Sequence, residues 1–240
     1  MIIRIYKDAD ELTTVTAEWI SDLIAQTLKK AERFTIALSG GNTPKQLFTK
    51  LGCSPYLHSI DWSKVHFFWG DERFVPFRDE RNNANMAFKE LLEKVPLQED
   101  NVHIMRTDIP SEESVKEYDR ILHNYFDEHS TSFDLVLLGL GEDGHTLSLF
   151  PGIDISTEPE QWVTSLYVPE QNMWRITLLP AIVNKAANIA FMVSGSTKSE
   201  IVHKVIHTEH PYPAKLIQPA TGKLYWLIDE AASTQGVYNP

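Results

Sequence analysis

The sequence contains a single cysteine, Cys53, among its 240 residues. One thiol cannot form an intramolecular disulfide, and it cannot supply the several cysteine ligands of a structural zinc site. Disulfides persist in oxidising compartments and are rare in the cytosol. We therefore expect a chain that is stabilised by its hydrophobic core and that works in the cytoplasm.

Long apolar runs are also missing. No segment approaches the roughly 20 residues that a membrane-spanning helix needs. The first eight residues, MIIRIYKD, lack the apolar core of a signal peptide. We expect neither a membrane partner nor a secretory leader.

Basic residues are in the minority. The 22 Lys and Arg stand against 33 Asp and Glu, which gives 22 − 33 = −11 with His neutral. Nucleic acid binding needs clustered Lys and Arg, so we do not expect it. The negative field of the chain would also repel an anionic substrate, and a phosphate site must therefore contain its own local cations.

Apolar strands alternate with amphipathic helices along the chain, and the run FDLVLL at 133–138 is typical of the centre of a parallel sheet. This alternation predicts an α/β fold with a mostly parallel sheet and helices on both faces, a Rossmann-like three-layer arrangement in one domain over residues 1–240. Ligands of such sheets bind at the carboxyl ends of strands. Strands are predicted at 2–6, 33–38, 65–69, 102–105, 133–138, 162–168, 175–179, 188–194 and 223–229, and helices at 10–30, from Thr43, at 83–94, from Ser111, from Pro180 and from Thr197.

The first candidate site follows the predicted strand at 33–38. It is the loop of Ser39, Gly40, Gly41, Asn42 and Thr43. Thr43 as an N-cap and a proline at the first helical position predict that a helix begins at once. Two glycines and a helix N-terminus together favour a phosphate site. The alternative is a tight strand-to-helix turn capped by Thr43.

Three charged residues, Asp71, Glu72 and Arg73, follow the buried strand at 65–69. Their position at a strand end places them where a binding crevice is expected, and Arg73 is suited to pair with a carboxylate or a substrate oxygen. The alternative is a solvated loop.

The loop after 133–138 carries three glycines, Asp143 and His145 in the order GLGEDGH. The glycines match the dinucleotide pattern G-x-G-x-x-G, but Pro151 interrupts the next segment after about two turns, too early for a Rossmann helix. Dinucleotide binding is therefore not expected. His145, near Asp143 at the end of a central strand, is well placed for proton transfer at neutral pH. The alternative is a histidine that only braces the turn.

Two more cations lie near predicted strand ends. Arg175 opens the strand at 175–179, and Lys198 lies in the first turn of a helix that Thr197 and Glu200 are predicted to cap. A lysine there opposes the helix dipole, which favours a nearby anion such as phosphate over a merely exposed side chain.

His203 and His207 have the i, i+4 spacing of zinc ligands. Lys204 stands where a metalloprotease has its glutamate, and the sequence offers no evident third ligand. We favour a solvated helix face and expect no metal.

Together these motifs resemble the 6-phosphogluconolactonase family, which has a glucosamine-6-phosphate deaminase-like fold. The longest shared motif, GLGEDGHTLSLFPG, is highly specific for that family. The matching segments occur in the family's order over nearly the whole chain, at 39–44, 69–75, 139–152, 175–178 and 193–198.

The resemblance implies hydrolysis of 6-phosphoglucono-δ-lactone to 6-phosphogluconate in the pentose phosphate pathway, with no metal or organic cofactor. It implies that His145 is the general base and that Asp71 and Arg73 are polar residues of the active site. It also implies a phosphate and substrate clamp made of the Ser39–Thr43 loop, Arg175 and Lys198. Asp143 is a candidate for orienting His145.

Two other functions stay open. Glucosamine-6-phosphate deaminases and related sugar-phosphate isomerases need a carboxylate shortly after the histidine, whereas SLFP follows here at 148–151 and the next acid is Asp154. A non-catalytic sugar-phosphate sensor usually carries an attached DNA-binding domain, which the acidic composition and the use of residues 1–30 for a strand and a helix disfavour.

Overall fold

A computed structural model describes residues 1–155 and 158–233. The prediction of one domain over 1–240 thus includes residues 156–157 and 234–240, which lie outside the described residues. The described strands are β1 (Ile2–Tyr6), β2 (Phe34–Leu38), β3 (Val65–Trp69), β4 (Asp71–Arg73), β5 (Leu135–Leu138), β6 (Val163–Val168), β7 (Met173–Leu178), β8 (Asn188–Val193) and β9 (Lys223–Asp229). The described α-helices are α1 (Ala9–Thr27), α2 (Asn42–Leu51), α3 (Tyr56–Ser59), α4 (Asn83–Ala87), α5 (Ser111–Phe126), α6 (Pro180–Val183) and α7 (Ser199–His207).

Six strands form a parallel sheet in the order β1-β9-β8-β5-β2-β3. Along the central strand β5, Leu135 and Leu137 pack with α1 and α2, whereas Val136 and Leu138 pack with α5 and α7. This alternation is the period of two that a strand imposes on its side chains, and it places helices on both faces. The predicted α/β fold is confirmed.

A second, antiparallel sheet of β4, β7 and β6 lies beside the carboxyl end of β3. The alternative of a solvated loop at Asp71–Arg73 is wrong, because these residues form β4 and pair with β7, with Arg73 opposite Arg175. Gly70 joins the two sheets: its N–H donates to Leu38 O at 2.9 Å and its carbonyl accepts from Leu178 N at 2.8 Å. This small sheet carries polar side chains to the edge where ligands bind.

Two predicted elements differ from the structure. Residues 102–105 form no strand; Val102 makes one parallel bridge to Phe67, and His103 N donates to Phe67 O at 2.9 Å. The helix predicted at 83–94 is α4 followed by a π-helical turn at Phe88–Leu92.

The described helices are all too short or too polar to cross a bilayer.

Three predicted N-caps are also wrong. The helix α5 has Pro110 at its N-cap, and α7 begins at Ser199 after a short 3-10 turn at Ser196–Lys198, so neither Ser111 nor Thr197 caps a helix. Gly41, with φ +101°, is the N-cap of α2. The Thr43 hydroxyl instead pairs with the Ser194 hydroxyl at 3.1 Å and so joins the first turn of α2 to the loop that follows β8.

Candidate functional site

A cleft of about 300 Å³ opens where β2, β5 and the β4–β7 pair end. It brings together eight of the residues predicted from the sequence, which are separated by up to 159 positions in the chain, from residue 39 to residue 198. These residues are Ser39, Gly40, Gly41, Asp71, Arg73, His145, Arg175 and Lys198. The site predicted at the carboxyl ends of the strands therefore corresponds to this cleft.

The loop after β5 holds His145 in a tight turn. Gly141 N donates to His145 O at 2.8 Å. Gly144 has φ +82°, and a Cβ there would lie 2.4 Å from the Tyr212 ring, so both conformation and space require glycine. The His145 ring stacks on Phe150, with 4.1 Å between ring centroids. Backbone and packing together fix the imidazole at the cleft.

Asp143 binds this imidazole directly, with 2.5 Å between its Oδ1 and His145 Nδ1. The same oxygen accepts from His145 N at 3.1 Å. An ionised carboxylate at Nδ1 selects the tautomer whose proton lies on that nitrogen and whose lone pair lies on Nε2. Nε2 meets no partner among the residues that the structure describes, so it is available as a proton acceptor.

Asp71 is buried at the floor of the cleft. Its Oδ2 accepts from Ser148 Oγ at 2.6 Å and lies 4.0 Å from Arg175 Nη1, and its Oδ1 accepts a long bond of 3.4 Å from Asn83 Nδ2. Ser148 was not predicted as a site residue, because its partner lies 77 positions away in the sequence. The strong bond from Ser148 sets the orientation of the carboxylate.

Two arginines line the cleft from adjacent strands. Arg73 Nη1 donates to Arg81 O at 2.8 Å, and Arg175 Nη2 donates to Gln171 Oε1. Burial lowers the pKa of Arg175, but a guanidinium remains charged throughout the physiological range. The Nε atoms of both arginines are buried without a partner in the described part of the chain. The pair therefore presents positive charge to a ligand.

The glycine loop and Lys198 complete the rim. Gly40 touches Asn83 closely, since a Cβ there would fall 1.9 Å from Asn83 Oδ1. Lys198 Nζ lies 4.0 Å from Glu142, on the opposite loop. Asn42, Thr43 and Asp143 do not line this cleft: Asn42 lines a neighbouring cavity, Thr43 binds Ser194, and Asp143 lies behind His145 along another cavity.

Glu72 is a buried carboxylate that sequence reasoning treated as one of three loop charges. It is 1% exposed and accepts from the backbone N–H groups of Arg73, Asn83 and Ala84 at 2.7 to 2.8 Å. Burial raises its pKa to about 7 despite these donors. Glu72 thus ties β4 to the start of α4, and nothing in the local sequence marks donors eleven and twelve positions away.

Metal and dinucleotide sites receive no support from the described residues. His203 and His207 lie with their ring centroids 5.1 Å apart, and residues 1–155 and 158–233 contain no cluster of three metal-ligating side chains. After the glycine turn at 139–144, the chain forms turns and a bridge, with no helix in the described stretch up to residue 155. A helix N-terminus for a dinucleotide pyrophosphate is therefore lacking at this loop.

Comparisons with known proteins show the family to which the chain belongs. Residues 7–226 match a family model described as Glucosamine-6-phosphate isomerases/6-phosphogluconolactonase. The chain is 35% identical to "6-phosphogluconolactonase 3, chloroplastic" of Arabidopsis thaliana, over 97% of this chain and 74% of that protein. It is 36% identical to the 6-phosphogluconolactonase of Synechocystis sp., over 89% of each. The solved 6-phosphogluconolactonase of Trypanosoma brucei is similar in fold, with a TM-score of 0.84 at 27% identity, over 96% of this chain and 97% of that one.

Proposed function

The chain belongs to the family of glucosamine-6-phosphate isomerases and 6-phosphogluconolactonases, and on that premise we propose that it is an enzyme that hydrolyses 6-phosphoglucono-δ-lactone to 6-phosphogluconate in the pentose phosphate pathway. One observation carries the proposal: His145, with Nε2 available, lies in the same cleft as Arg73, Arg175 and Lys198. A phosphorylated ester needs both a base and local cations, and this cleft offers both.

Water attack is the first step. His145 Nε2 accepts a proton from a water molecule while the water oxygen bonds to the lactone carbonyl carbon, which gives a tetrahedral oxyanion. The ring then carries a positive charge, which the Asp143 carboxylate at Nδ1 stabilises. Positioned acid–base catalysis of this kind typically supplies ~10²–10⁴-fold.

Ring opening is the second step. The oxyanion collapses to a carboxylic acid as the bond between the carbonyl carbon and the ring oxygen breaks, and His145 returns its proton to that oxygen. We assign Arg73 as the donor to the oxyanion, because it lines the same cleft as His145, whereas the N–H groups of Gly141 and Gly144 already donate to backbone carbonyls. Water is consumed and no electrons are transferred, so no step in this scheme calls on a metal or an organic cofactor.

The phosphate group lies remote from the reacting carbonyl, so its binding orients the substrate. We assign it to a clamp of Arg175, Lys198 and the part of the predicted loop that lines the cleft, residues 39–41. These cations supply the local positive charge that a chain with a net charge of −11 needs at an anion site. Unphosphorylated gluconolactone should therefore be a poor substrate. The cytosol is the proposed compartment, since the lone cysteine fits a reducing environment.

The isomerase alternative is disfavoured by Ser148. The segment after His145 presents a hydroxyl, fully buried and bound to Asp71, where ring opening of an amino sugar would need a carboxylate beside the histidine. The sensor alternative predicts binding without turnover.

The deciding experiment supplies freshly generated 6-phosphogluconolactone and follows acid release against the spontaneous background. We expect a rate far above background. Acid release at the background rate would contradict the proposal; ammonia release from glucosamine-6-phosphate would then favour a deaminase, and thermal stabilisation by 6-phosphogluconate without turnover would favour a sensor.

A further inference from the structure

Gln171 holds Arg175, although nothing in the sequence marked it as a site residue. Its side-chain oxygen accepts from Arg175 Nη2. Gln171 lines the 300 Å³ cleft and also the adjoining cavity of about 590 Å³ that shares His145 and Lys198. It therefore stands between the proposed reaction centre and the open approach to it.

The backbone fixes Gln171 in this position. It is the last residue of a 3-10 turn, Pro169–Gln171, which links β6 to β7. Asn172 ends the turn in the left-handed region at φ +47°, and its Oδ1 accepts from the Tyr167 hydroxyl. Antiparallel pairing of β6 with β7 then fixes the turn relative to Arg175.

Arg175 has little other compensation for its charge. Its side chain is 7% exposed, its nearest carboxylate oxygen, on Asp71, lies 4.0 Å away, and its Nε is buried without a partner among the described residues. The direct partner of the guanidinium is thus a neutral amide. The turn also contains a carboxylate, Glu170, but that side chain lines the larger cavity and not the cleft.

The neutrality of this partner determines the charge of the cleft. Its lining contains three cations, Arg73, Arg175 and Lys198, against one carboxylate, Asp71. A carboxylate at position 171 would pair with Arg175 and remove half of that excess, and such charge-assisted bidentate pairs are strong. An amide fixes the same guanidinium and leaves its charge for a ligand. Since the amide oxygen is engaged, its two N–H donors also remain for a ligand oxygen.

We propose that Gln171 is a specificity-determining residue: it holds Arg175 with a neutral acceptor and thereby sets the preference of the cleft for phosphorylated over unphosphorylated sugar lactones. This inference rests on the proposed function for its substrate. A phosphate binds Arg175 in exchange for, or together with, the neutral amide, whereas a neutral sugar gains nothing from the uncompensated charge.

The test compares Gln171→Glu with Gln171→Met and with a matched control, Gln26→Glu. Glutamate keeps the acceptor for Arg175 but adds charge and removes both donors, whereas methionine keeps the length and removes all hydrogen bonding. Gln26 is exposed near the end of α1, just before the amino end of β2, at the edge of the sheet opposite the cleft. The readouts are the Kd of 6-phosphogluconate by calorimetry, kcat and KM for 6-phosphogluconolactone and gluconolactone, and Tm.

We expect Gln171→Glu to raise the Kd of 6-phosphogluconate and the KM of its lactone about tenfold or more, as for loss of a charge-assisted contact. Its Tm, its kcat and its KM for gluconolactone should stay within about twofold of wild type, as should every constant of Gln26→Glu. Gln171→Met should raise the Kd less, about threefold, because Arg175 keeps its charge and loses only its tether.

An unchanged Kd in Gln171→Glu would show that Gln171 is merely a brace for Arg175, since glutamate braces equally well. An equal rise for both lactones, or an equal rise in Gln26→Glu, would also overturn the inference. Wild-type protein that binds 6-phosphogluconate without hydrolysing the lactone would contradict the proposed function alone, and the binding constants would still judge Gln171. Wild-type protein that does not bind 6-phosphogluconate would contradict both.

Discussion

The Ser148 hydroxyl donates to Asp71 Oδ2 at 2.6 Å and connects the loop after β5 to the first residue of β4. Ser148 is fully buried, and Asp71 is 7% exposed. The other contacts of this carboxylate are a long hydrogen bond of 3.4 Å from Asn83 and an ion pair of 4.0 Å with Arg175. The orientation of a buried charge at the cleft floor therefore depends on one hydroxyl.

Removal of that hydroxyl by Ser148→Ala should lower kcat/KM about tenfold, because Asp71 loses its short donor and becomes free to rotate toward Arg175. An unmatched buried acceptor should also reduce the free energy of unfolding by ~1–3 kcal/mol. The control is Ser132→Ala, which removes a buried hydroxyl bound to Ile182 O at 2.8 Å. That variant should lose stability and keep its kinetic constants; equal kinetic losses in both would assign Ser148 a purely structural role.

Replacement of the proposed base, His145→Asn, should lower turnover ~10²-fold or more while Tm and the Kd of 6-phosphogluconate stay unchanged. His58→Asn, on the exposed surface of α3, is the matched control and should behave as wild type. Near-normal turnover in folded His145→Asn, with a lowered Tm, would mean that the ring only braces its turn.

Loss of either clamp cation should weaken binding of the phosphorylated substrate. Arg175→Ala and Lys198→Ala should each raise KM in line with ~1.5–3 kcal/mol of lost charge-assisted bonding, and the buried Arg175 should have the larger effect. Lys116→Ala removes an exposed charge from α5 and should change nothing. Comparable KM values for phosphorylated and unphosphorylated lactones in the wild type would contradict a phosphate clamp.

Burial of Glu72 should make stability depend on pH. Its pKa is raised to about 7 from an ordinary value of 4.5, so between these values the unfolded chain has released a proton that the folded chain keeps. This contribution to the free energy of unfolding is therefore fully present below about pH 4.5 and declines by up to about 3 kcal/mol as the pH rises through about 7. Urea unfolding of wild type and Glu72→Gln at several pH values measures it. Parallel stability curves for the two proteins would contradict the prediction.

A histidine cluster beside β3 should also make stability depend on pH, but here stability should fall as the pH drops. His103 Nε2 and His66 Nδ1 both bond the Tyr125 hydroxyl, at 2.8 and 2.9 Å. Burial, with smaller contributions from His66 and Arg33, lowers the pKa of His103 to about 4. Because the unfolded chain takes up a proton first, stability should fall as the pH drops from 6.5 toward 4. We expect about 1–2 kcal/mol, since partial exposure screens the charge.

Acid unfolding of His103→Asn beside His129→Asn, an exposed control, measures this contribution. The His103 variant should show a shallower decline in stability than wild type between pH 6.5 and 4, and the His129 variant should follow wild type. A His103 variant with the wild-type pH dependence would show that the cluster titrates normally.

Local pattern predicted the sheet well, because burial on both faces gives β2, β5 and β8 mostly apolar side chains. It failed at β4, where burial is created by pairing with β7 and not by apolar side chains. Local pattern also failed at the N-cap of α2, because the Thr43 hydroxyl pairs with the Ser194 hydroxyl instead. Tertiary partners decided each of these cases.

The residues of the candidate site divide in the same way, into those that local sequence could predict and those that depend on tertiary contacts. The glycine loops and the contact between His145 and Asp143 depend on neighbours in sequence, so their presence could be inferred from motifs. Ser148 and Glu72 function through partners that only folding brings near, at Asp71 and the start of α4. Gln171 lies four positions from Arg175, and their contact depends on the turn that joins β6 to β7. The roles assigned to all these residues stay predictions until variants are measured.

The hydroxyl of Tyr118 accepts from Trp69 N at 2.8 Å and donates to Trp69 O at 3.0 Å, at the end of β3, the last strand on its side of the parallel sheet. Phe67, two residues earlier, is engaged on the same strand by Val102 and by His103 N. Backbone groups that a foreign strand would need as its first contacts are thus already occupied. Aggregation by edge-to-edge strand addition is blocked at β3, and a tyrosine on a helix protects this edge much as a charged residue or a proline protects others.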